Sequence, residues 1–197
     1  MSGYDPRAVA NAVLDTAADF GFEVSNLSLQ KLLYFAHGLY LINTGKPLVG
    51  GFFEAWTNGP VHPVIYRAFK DCGAQPIRTR AAATNLVTGE VSMPPKIDDA
   101  VALNHVRRIV ASYGGLSASR LVTISHAPGG PWAETVNKAR KSLALGMRIT
   151  DDATRQYFRF QKVVLAPTDT IDPKEVHEDA PFAPDRLSSH RSSAYGR

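Results

Sequence analysis

The longest regular pattern of apolar residues in the chain lies between Ser25 and Gly45. Ser25, Asn26 or Ser28 can cap the first backbone N–H groups of a helix. Gly45 suits a left-handed C-terminal cap, and Pro47 prevents the helix from continuing. The apolar side chains between these limits recur every three or four residues, which predicts one central helix that neighbouring elements cover on several sides. They include Leu29, Leu32, Leu33, Ala36, Leu39 and Tyr40.

Four polar or amphipathic residues, Gln30, Lys31, Tyr34 and His37, interrupt this apolar pattern. One interpretation is a core helix whose polar edge is solvated, because lysine and glutamine are mostly exposed in folded proteins. The other interpretation is that this exposed edge is a recognition surface. Both interpretations predict that the polar edge of the helix reaches solvent.

The remaining segments alternate between short helical patterns and turn signals. Phe52, Phe53 and Trp56 favour a short strand, which a turn at Asn58–Pro60 ends. Between Ala74 and Lys96 the helical signal lapses, and a small hairpin and a surface excursion are equally good interpretations. The expected fold is mainly α, a compact helical domain around one central helix with a small β element. Further helices are predicted at about residues 6–20, 61–72, 99–113, 118–125, 131–141 and from 151 onward.

A change of composition divides the chain near Val164. Residues 1–164 carry the helical patterns, whereas residues 165–197 are rich in Pro, Asp, Ser and His and poor in periodic apolar residues. A segment that buries so little apolar surface cannot offset its ordering entropy. We therefore expect one domain over residues 1–164 and a disordered polar tail over residues 165–197.

Composition excludes several classes of protein. No stretch has the roughly 18 consecutive apolar residues of a membrane span, and the first residues lack the basic and apolar regions of a signal peptide. Cys72 is the single cysteine, which excludes an intrachain disulfide and a multi-cysteine zinc site. These observations predict a cytoplasmic location and no membrane partner.

The net charge of +4 is unevenly distributed. Residues up to Val164 include 18 basic and 12 acidic side chains, a balance of +6, whereas the rest include 4 and 6, a balance of −2. The basic residues are scattered, and a nucleic-acid patch is usually denser, so nucleic acid is not the expected partner. An acidic protein would suit the +6 body as well as DNA would.

The chain lacks the short motifs of the common catalytic and cofactor-binding sites. It has no GxxxxGK[ST] phosphate loop, no GxGxxG after a strand, and no HExxH, GxSxG or CxxC. Its histidines are never spaced four apart with a carboxylate between them. We therefore expect no metal site, no cofactor and no catalytic residue.

Three local constellations follow one another in a specific order. They are LQKLLYFAHGLYL at 29–41, FEAWTNGPVHPVIYRAF at 53–69 and SHAPGGPW at 125–132. In order and spacing they resemble the Panacea, or SocA-like, antitoxin domain of type II toxin–antitoxin systems, whose members share LQKLLYYAxG, EAWxxGPVxPxxYxxF and TH-x-x-x-x-PW elements. The resemblance covers roughly residues 5–160. Ser125 stands where threonine is usual, which keeps the hydroxyl group.

The resemblance implies a mainly helical binding domain without catalytic activity. Members of the family neutralise a toxin encoded next to them by direct protein contact. Some members act as adaptors that deliver the bound toxin to an AAA+ unfoldase–protease. We therefore expect an antitoxin whose partner is a cognate toxin, with a protease of the ClpXP type as a second partner under the adaptor interpretation.

Nine residues of these constellations form the predicted partner-binding set. Its two tryptophans and two tyrosines are the large, amphipathic side chains that anchor protein interfaces. Structural alternatives exist, because Trp132 can fill a gap between two helices and the Asn58–Pro60 turn can merely reverse the chain. The set is Gln30, Lys31, Tyr34, Trp56, Gly59, Pro60, Tyr66, His126 and Trp132.

Two alternatives from other functional classes remain open. A small-molecule enzyme would use His126 as acid or base in a pocket with Gln30, Tyr34, Trp56 and Trp132. Against it, no carboxylate, thiol or metal ligand stands at a fixed spacing from His126. A DNA-binding regulator is the second alternative, although no helix pair shows a recognition helix dense in Arg, Lys, Asn and Gln.

Overall fold

One helix of the molecule is buried on almost every side. In the computed structural model, which describes residues 3–85, 87–141 and 147–160, it runs from Asn26 to Thr44, and every residue from Ser28 to Leu41 is buried. At its start the Ser25 hydroxyl oxygen accepts a hydrogen bond from the Ser28 backbone N–H. Gly45 ends it in the left-handed conformation, with φ of 71°. The predicted central helix and both of its caps are confirmed.

Seven α-helices and five short strands make up the described part of the chain. The helices are α1 (Pro6–Asp19), α2 (Asn26–Thr44), α3 (Pro63–Phe69), α4 (Ala100–Tyr113), α5 (Ala118–Ser125), α6 (Pro131–Lys141) and α7 (Asp151–Arg159). The strands are β1 (Phe53–Trp56), β2 (Gly59–Val61), β3 (Ala83–Thr84), β4 (Val91–Ser92) and β5 (Arg148–Ile149). One turn of 3-10 helix, Lys70–Cys72, follows α3. The fold is mainly α with a small β element, as predicted.

Five of the other six helices share α2 as their common neighbour. Helices α1, α3, α4, α5 and α7 all pack against it. Leu29, Leu32 and Leu33 on α2 are completely buried. A helix that is apolar around most of its circumference must be covered on several sides to remove that surface from water. The hydrophobic core is therefore organised around α2.

A three-stranded antiparallel sheet lies beside this helix. β1 is its central strand, with Ala55 opposite Pro60 of β2 and Phe53 opposite Ile149 of β5. The inward-facing residues Phe53 and Ala55 are buried, and β2 also contacts α2. The tight β1–β2 connection consequently folds back against the central helix.

The segment from Ala74 to Lys96 contains a small hairpin. Ala83 pairs with Ser92, and Thr84 pairs with Val91. Of the two interpretations that the sequence left open, the hairpin is confirmed, with strands of two residues each.

Helix α7 returns the chain to the middle of α2. His37 Nε2 lies 3.1 Å from Asp151 Oδ1, and its Nδ1 accepts a hydrogen bond from the Val49 backbone N–H. The Phe158 ring packs over Gly38, where an added Cβ atom would come within 2.6 Å of the ring. The contact between α2 and α7 therefore depends on the absence of a side chain at Gly38.

Two expectations concern parts of the chain beyond these elements. The domain boundary at Val164 and the tail over residues 165–197 lie outside the described residues. Within the described ranges, no helix combines the length and the apolar character needed to cross a membrane.

Leu33→Ala should lower the free energy of unfolding by about 2–5 kcal/mol, because it removes buried methyl groups and leaves a cavity in the core. Urea denaturation followed by circular dichroism measures the change. Leu103→Ala on α4 is the control, since Leu103 is 39% exposed and its loss should cost about 1 kcal/mol or less. Equal, small losses for both variants would contradict the central position of α2.

Candidate functional site

Three aromatic side chains from different elements line one groove on the surface. Trp56 is the last residue of β1, Tyr66 lies on α3, and Trp132 lies in the first turn of α6. The groove has a volume of about 780 Å³, which is within the usual range of roughly 300–1,000 Å³ for ligand sites. We call it the aromatic groove. The fold thus brings together two tryptophans that are 76 positions apart in the chain.

Hydrogen bonds and ring contacts fix the walls of the aromatic groove. The Trp132 indole N–H donates to the Trp56 backbone carbonyl at 2.8 Å, which joins α6 to β1. The Trp56 indole N–H donates to a Glu54 carboxylate oxygen at 2.7 Å. The Trp56 and Tyr66 rings meet edge to face with centroids 4.7 Å apart, a favourable aromatic geometry. Both tryptophans are therefore held in place without a ligand.

Gln30 and Asn26 form a polar floor in which each amide group is already paired. The Gln30 carbonyl oxygen accepts a hydrogen bond from the His62 backbone N–H at 2.8 Å. The Gln30 amide donates to the Asn26 side-chain oxygen at 3.0 Å, and the Asn26 amide donates to the Tyr66 backbone carbonyl at 3.3 Å. Gln30 does line the groove but is only 1% exposed. The expectation of a solvated edge is therefore wrong for Gln30.

Lys31 is buried beneath strand β2. Its side chain is 0% exposed, and its Nζ donates a hydrogen bond to the Pro60 carbonyl oxygen at 2.8 Å. Burial lowers the pKa of the amine from 10.5 to about 7, since a charged group loses hydration in the interior. The expectation that Lys31 lies on an exposed edge is wrong, because the Gly59–Pro60 segment folds over it.

Gly59 allows this close approach of three elements. Its φ is 97°, in the region that favours glycine. A Cβ atom at Gly59 would lie 2.6 Å from Ser125 Oγ and 2.8 Å from Lys31 Cε. β2, α2 and the end of α5 therefore meet at a point where a side chain has no room.

His126 lies behind Trp132 rather than in the groove. The two rings are stacked in parallel, with centroids 3.6 Å apart and an interplanar angle of 7°. Within the described residues, His126 Nε2 is buried without a hydrogen-bond partner. Burial, followed by the nearby Lys31 amine, lowers the pKa of His126. His126 supports a groove wall, and it is not among the residues that line the groove.

Tyr34 lies apart from the aromatic groove. It is 2% exposed, and its ring meets Phe53 and Phe158 edge to face at centroid distances of 5.4 and 5.8 Å. Burial raises the pKa of its phenol well above the usual value. The expectation that Tyr34 belongs to an exposed recognition edge is wrong, because α7 covers it.

The nine predicted residues thus fall into three groups. Gln30, Trp56, Tyr66 and Trp132 line the aromatic groove. Lys31, Gly59, Pro60 and His126 form a supporting layer behind it, and Tyr34 belongs to the core. Sequence reasoning missed several lining residues, including Asn26, Lys70, Val136 and Met147. For Asn26, the spacing of four from Gln30 on one helix was an available signal. Nothing local in the sequence indicated the other three.

The groove offers little acid–base or metal chemistry. Lys70 has the only charged side chain among the lining residues that the structure describes. In the same described ranges, no group of three or more His, Cys, Asp or Glu side chains is placed to hold a metal ion. The arrangement is suited to contact with an apolar surface.

Comparison with known proteins identifies the family. The family model for the antitoxin SocA-like Panacea domain matches residues 29–133, more than half of the chain. The chain belongs to the SocA-like Panacea family. It is 48% identical to antitoxin SocA of Caulobacter vibrioides over 164 residues, which cover 82% of this chain and 86% of that protein. No solved structure matches it. The Panacea match spans all nine predicted residues, and therefore the three aromatic walls and the supporting layer, whereas the lining residues Asn26, Val136 and Met147 lie just outside it.

Lys31 should make the stability of this Panacea domain depend on pH. Between about pH 7 and 10.5 the folded protein holds Lys31 neutral while the unfolded chain remains protonated. The unfolded state then binds more protons, so the free energy of unfolding rises with pH in this window. In Lys31→Met this contribution disappears.

Urea denaturation at several pH values between 6.5 and 9.5 measures the effect. The stability of wild type relative to Lys31→Met should increase as the pH rises. Lys96→Met removes an exposed lysine, and its free energy of unfolding should change with pH in the same way as that of wild type. Parallel curves for wild type and Lys31→Met would show that the Lys31 amine is not desolvated.

Gly59→Ala should destabilise the fold by about 2–5 kcal/mol, since it adds a steric clash to a strained backbone. Gly45→Ala is a matched control, because Gly45 also has a positive φ but no atom lies within 4 Å of its added Cβ. That variant should lose about 1–2 kcal/mol from backbone strain alone. Thermal melts of both proteins give the comparison, and equal losses would argue against the close packing of Gly59 on Lys31 and Ser125.

Proposed function

We propose that this protein is an antitoxin that neutralises a cognate toxin protein by direct contact at the aromatic groove. The main observation in support is the groove itself, with three aromatic side chains fixed by internal contacts. Large aromatic side chains in preformed pockets are the usual anchors of protein interfaces. The 48% identity to a protein named antitoxin SocA also supports an antitoxin function.

The chemistry of the groove favours binding over catalysis. The enzyme alternative requires His126 to face a ligand, and His126 instead stacks behind Trp132 and does not line the groove. General acid–base catalysis needs a titratable group within hydrogen-bond reach of the substrate. Lys70, the one charged lining residue in the described ranges, is exposed and has no carboxylate or histidine of the lining beside it.

Preorganisation of the walls supports direct contact as the mode of neutralisation. The Trp132 and Trp56 indole N–H groups are already bonded within the protein, so both rings keep their orientation in the free state. Binding then loses little side-chain entropy, which is one of the main costs of association. The test is co-expression of the neighbouring open reading frame with and without this protein, followed by co-purification. A toxic neighbour that is neither rescued nor bound would overturn the proposal.

Tyr66→Ala should weaken toxin binding about thirtyfold or more, equivalent to about 2 kcal/mol, because it removes an exposed wall of the groove. Titration calorimetry with the purified toxin measures the affinity. Phe160→Ala is the control, since Phe160 is 78% exposed but does not line the groove. Thermal melts should show that both variants remain folded, because both side chains are exposed. An unchanged affinity for Tyr66→Ala would move the interface elsewhere.

The family resemblance extends the proposal to two modes of neutralisation, blocking of the toxin or its delivery to an AAA+ unfoldase–protease. A reconstituted degradation assay separates them. Under delivery, toxin turnover by the protease should depend on this protein and fall in Tyr66→Ala. Under blocking, the toxin should stay intact while its activity is lost at equimolar antitoxin.

A further inference from the structure

We propose that the aromatic groove accepts a segment of the toxin in which a large apolar or aromatic side chain stands next to an acidic one. The large side chain inserts between the groove walls, and the carboxylate of the neighbouring acidic residue pairs with Lys70. The inference rests on the proposed function, because it names the chemistry of the partner at the same site.

The first argument is that the side-chain amide and indole groups of four lining residues, Asn26, Gln30, Trp56 and Trp132, are already hydrogen-bonded. Both ends of the Gln30 amide and both ends of the Asn26 amide form hydrogen bonds within the protein. The indole N–H groups of Trp56 and Trp132 are also taken. A polar ligand would lose its hydration without gaining these groups as partners. An apolar side chain has no such loss.

The second argument is the shape and composition of the walls. Trp56, Tyr66 and Trp132 present ring surfaces, while Val136 and Met147 add aliphatic and thioether surface. Aromatic rings prefer offset-stacked or edge-to-face partners, and methionine sulfur also makes favourable contacts with rings. With a volume of about 780 Å³, the groove has room for such a side chain and the backbone on either side of it.

The third argument is electrostatic. Lys70 is exposed on the 3-10 turn after α3, and it forms no ion pair with a carboxylate of the described residues. The Glu54 carboxylate, which contacts a groove wall, already accepts the Trp56 indole N–H. The residues up to Val164 carry a net charge of +6, which attracts an acidic segment over a longer range. An occupant with a negative charge beside its apolar anchor is therefore complementary to this site.

Three blocked dipeptides test the chemistry directly on the full chain. They are N-acetyl-Glu-Trp-amide, N-acetyl-Gln-Trp-amide and N-acetyl-Glu-Ala-amide. In a titration of ¹⁵N-labelled protein, the first should shift the indole N–H resonances of Trp56 and Trp132. The second should bind about two- to fivefold more weakly, as expected for one exposed ion pair. The third should leave both resonances unchanged.

Variants locate the charge that recognises the acidic side chain. Lys70→Gln should abolish the difference between the Glu-Trp and Gln-Trp dipeptides. Lys96→Gln, which removes an exposed lysine outside the groove, should preserve it. Equal binding of the two dipeptides to wild type would overturn the role of Lys70. Absence of indole shifts with both dipeptides would overturn the whole inference.

Calorimetry with the cognate toxin separates this inference from the proposed function. Lys70→Gln should weaken toxin binding about two- to fivefold, with a smaller effect at high salt. A toxin that binds wild type and Lys70→Gln equally would overturn the inference and leave the proposed function intact. A toxin that does not bind wild type at all would overturn the proposed function, and the inference about the toxin segment would fall with it.

Discussion

The hydrogen bond from Lys31 Nζ to the Pro60 carbonyl is the contact on which the candidate site depends. It joins the central helix to strand β2 through a side chain that is 0% exposed. A buried amine without an anionic partner is costly, and here the cost is reduced by a pKa near 7. Gly59 can pack on the lysine because it has no side chain. Because Trp56 pairs with Gly59 across β1 and β2, the packing of Gly59 on Lys31 also helps to place Trp56.

The layer behind the groove explains why its surface is ordered before any partner arrives. His126 stacks on Trp132 from behind, and Trp132 in turn donates a hydrogen bond to the Trp56 carbonyl. Gln30 contributes in a different way, because it binds the His62 backbone just after β2. The Trp132 wall is thus backed by a residue that does not line the groove, while Gln30 is fixed by its bond to the backbone. A partner gains the apolar contact without ordering these side chains itself.

Local patterns were enough to predict the scaffold but not the exposure of individual side chains. The caps of α2 and the aromatic residues of the groove carry signals within a few positions of themselves. The burial of Lys31 depends on Pro60, 29 positions away, and that of Tyr34 on a helix more than 100 positions away. A lysine among apolar residues is normally solvated, so the sequence suggested an exposed edge. Tertiary contacts reversed that expectation for Gln30, Lys31 and Tyr34.

Lys31 and Lys70 show why residue type alone does not define a role in this domain. Both lie close to the groove, but one is enclosed between three elements and the other projects into solvent at the rim. A change of charge at the enclosed lysine acts on folding, because the interior cannot hydrate the new group. The same change at the rim acts on recognition, because water and salt screen its effect on the fold. Loss of neutralisation with normal thermal stability therefore indicates a residue of the binding surface. Loss of both indicates a residue of the supporting layer.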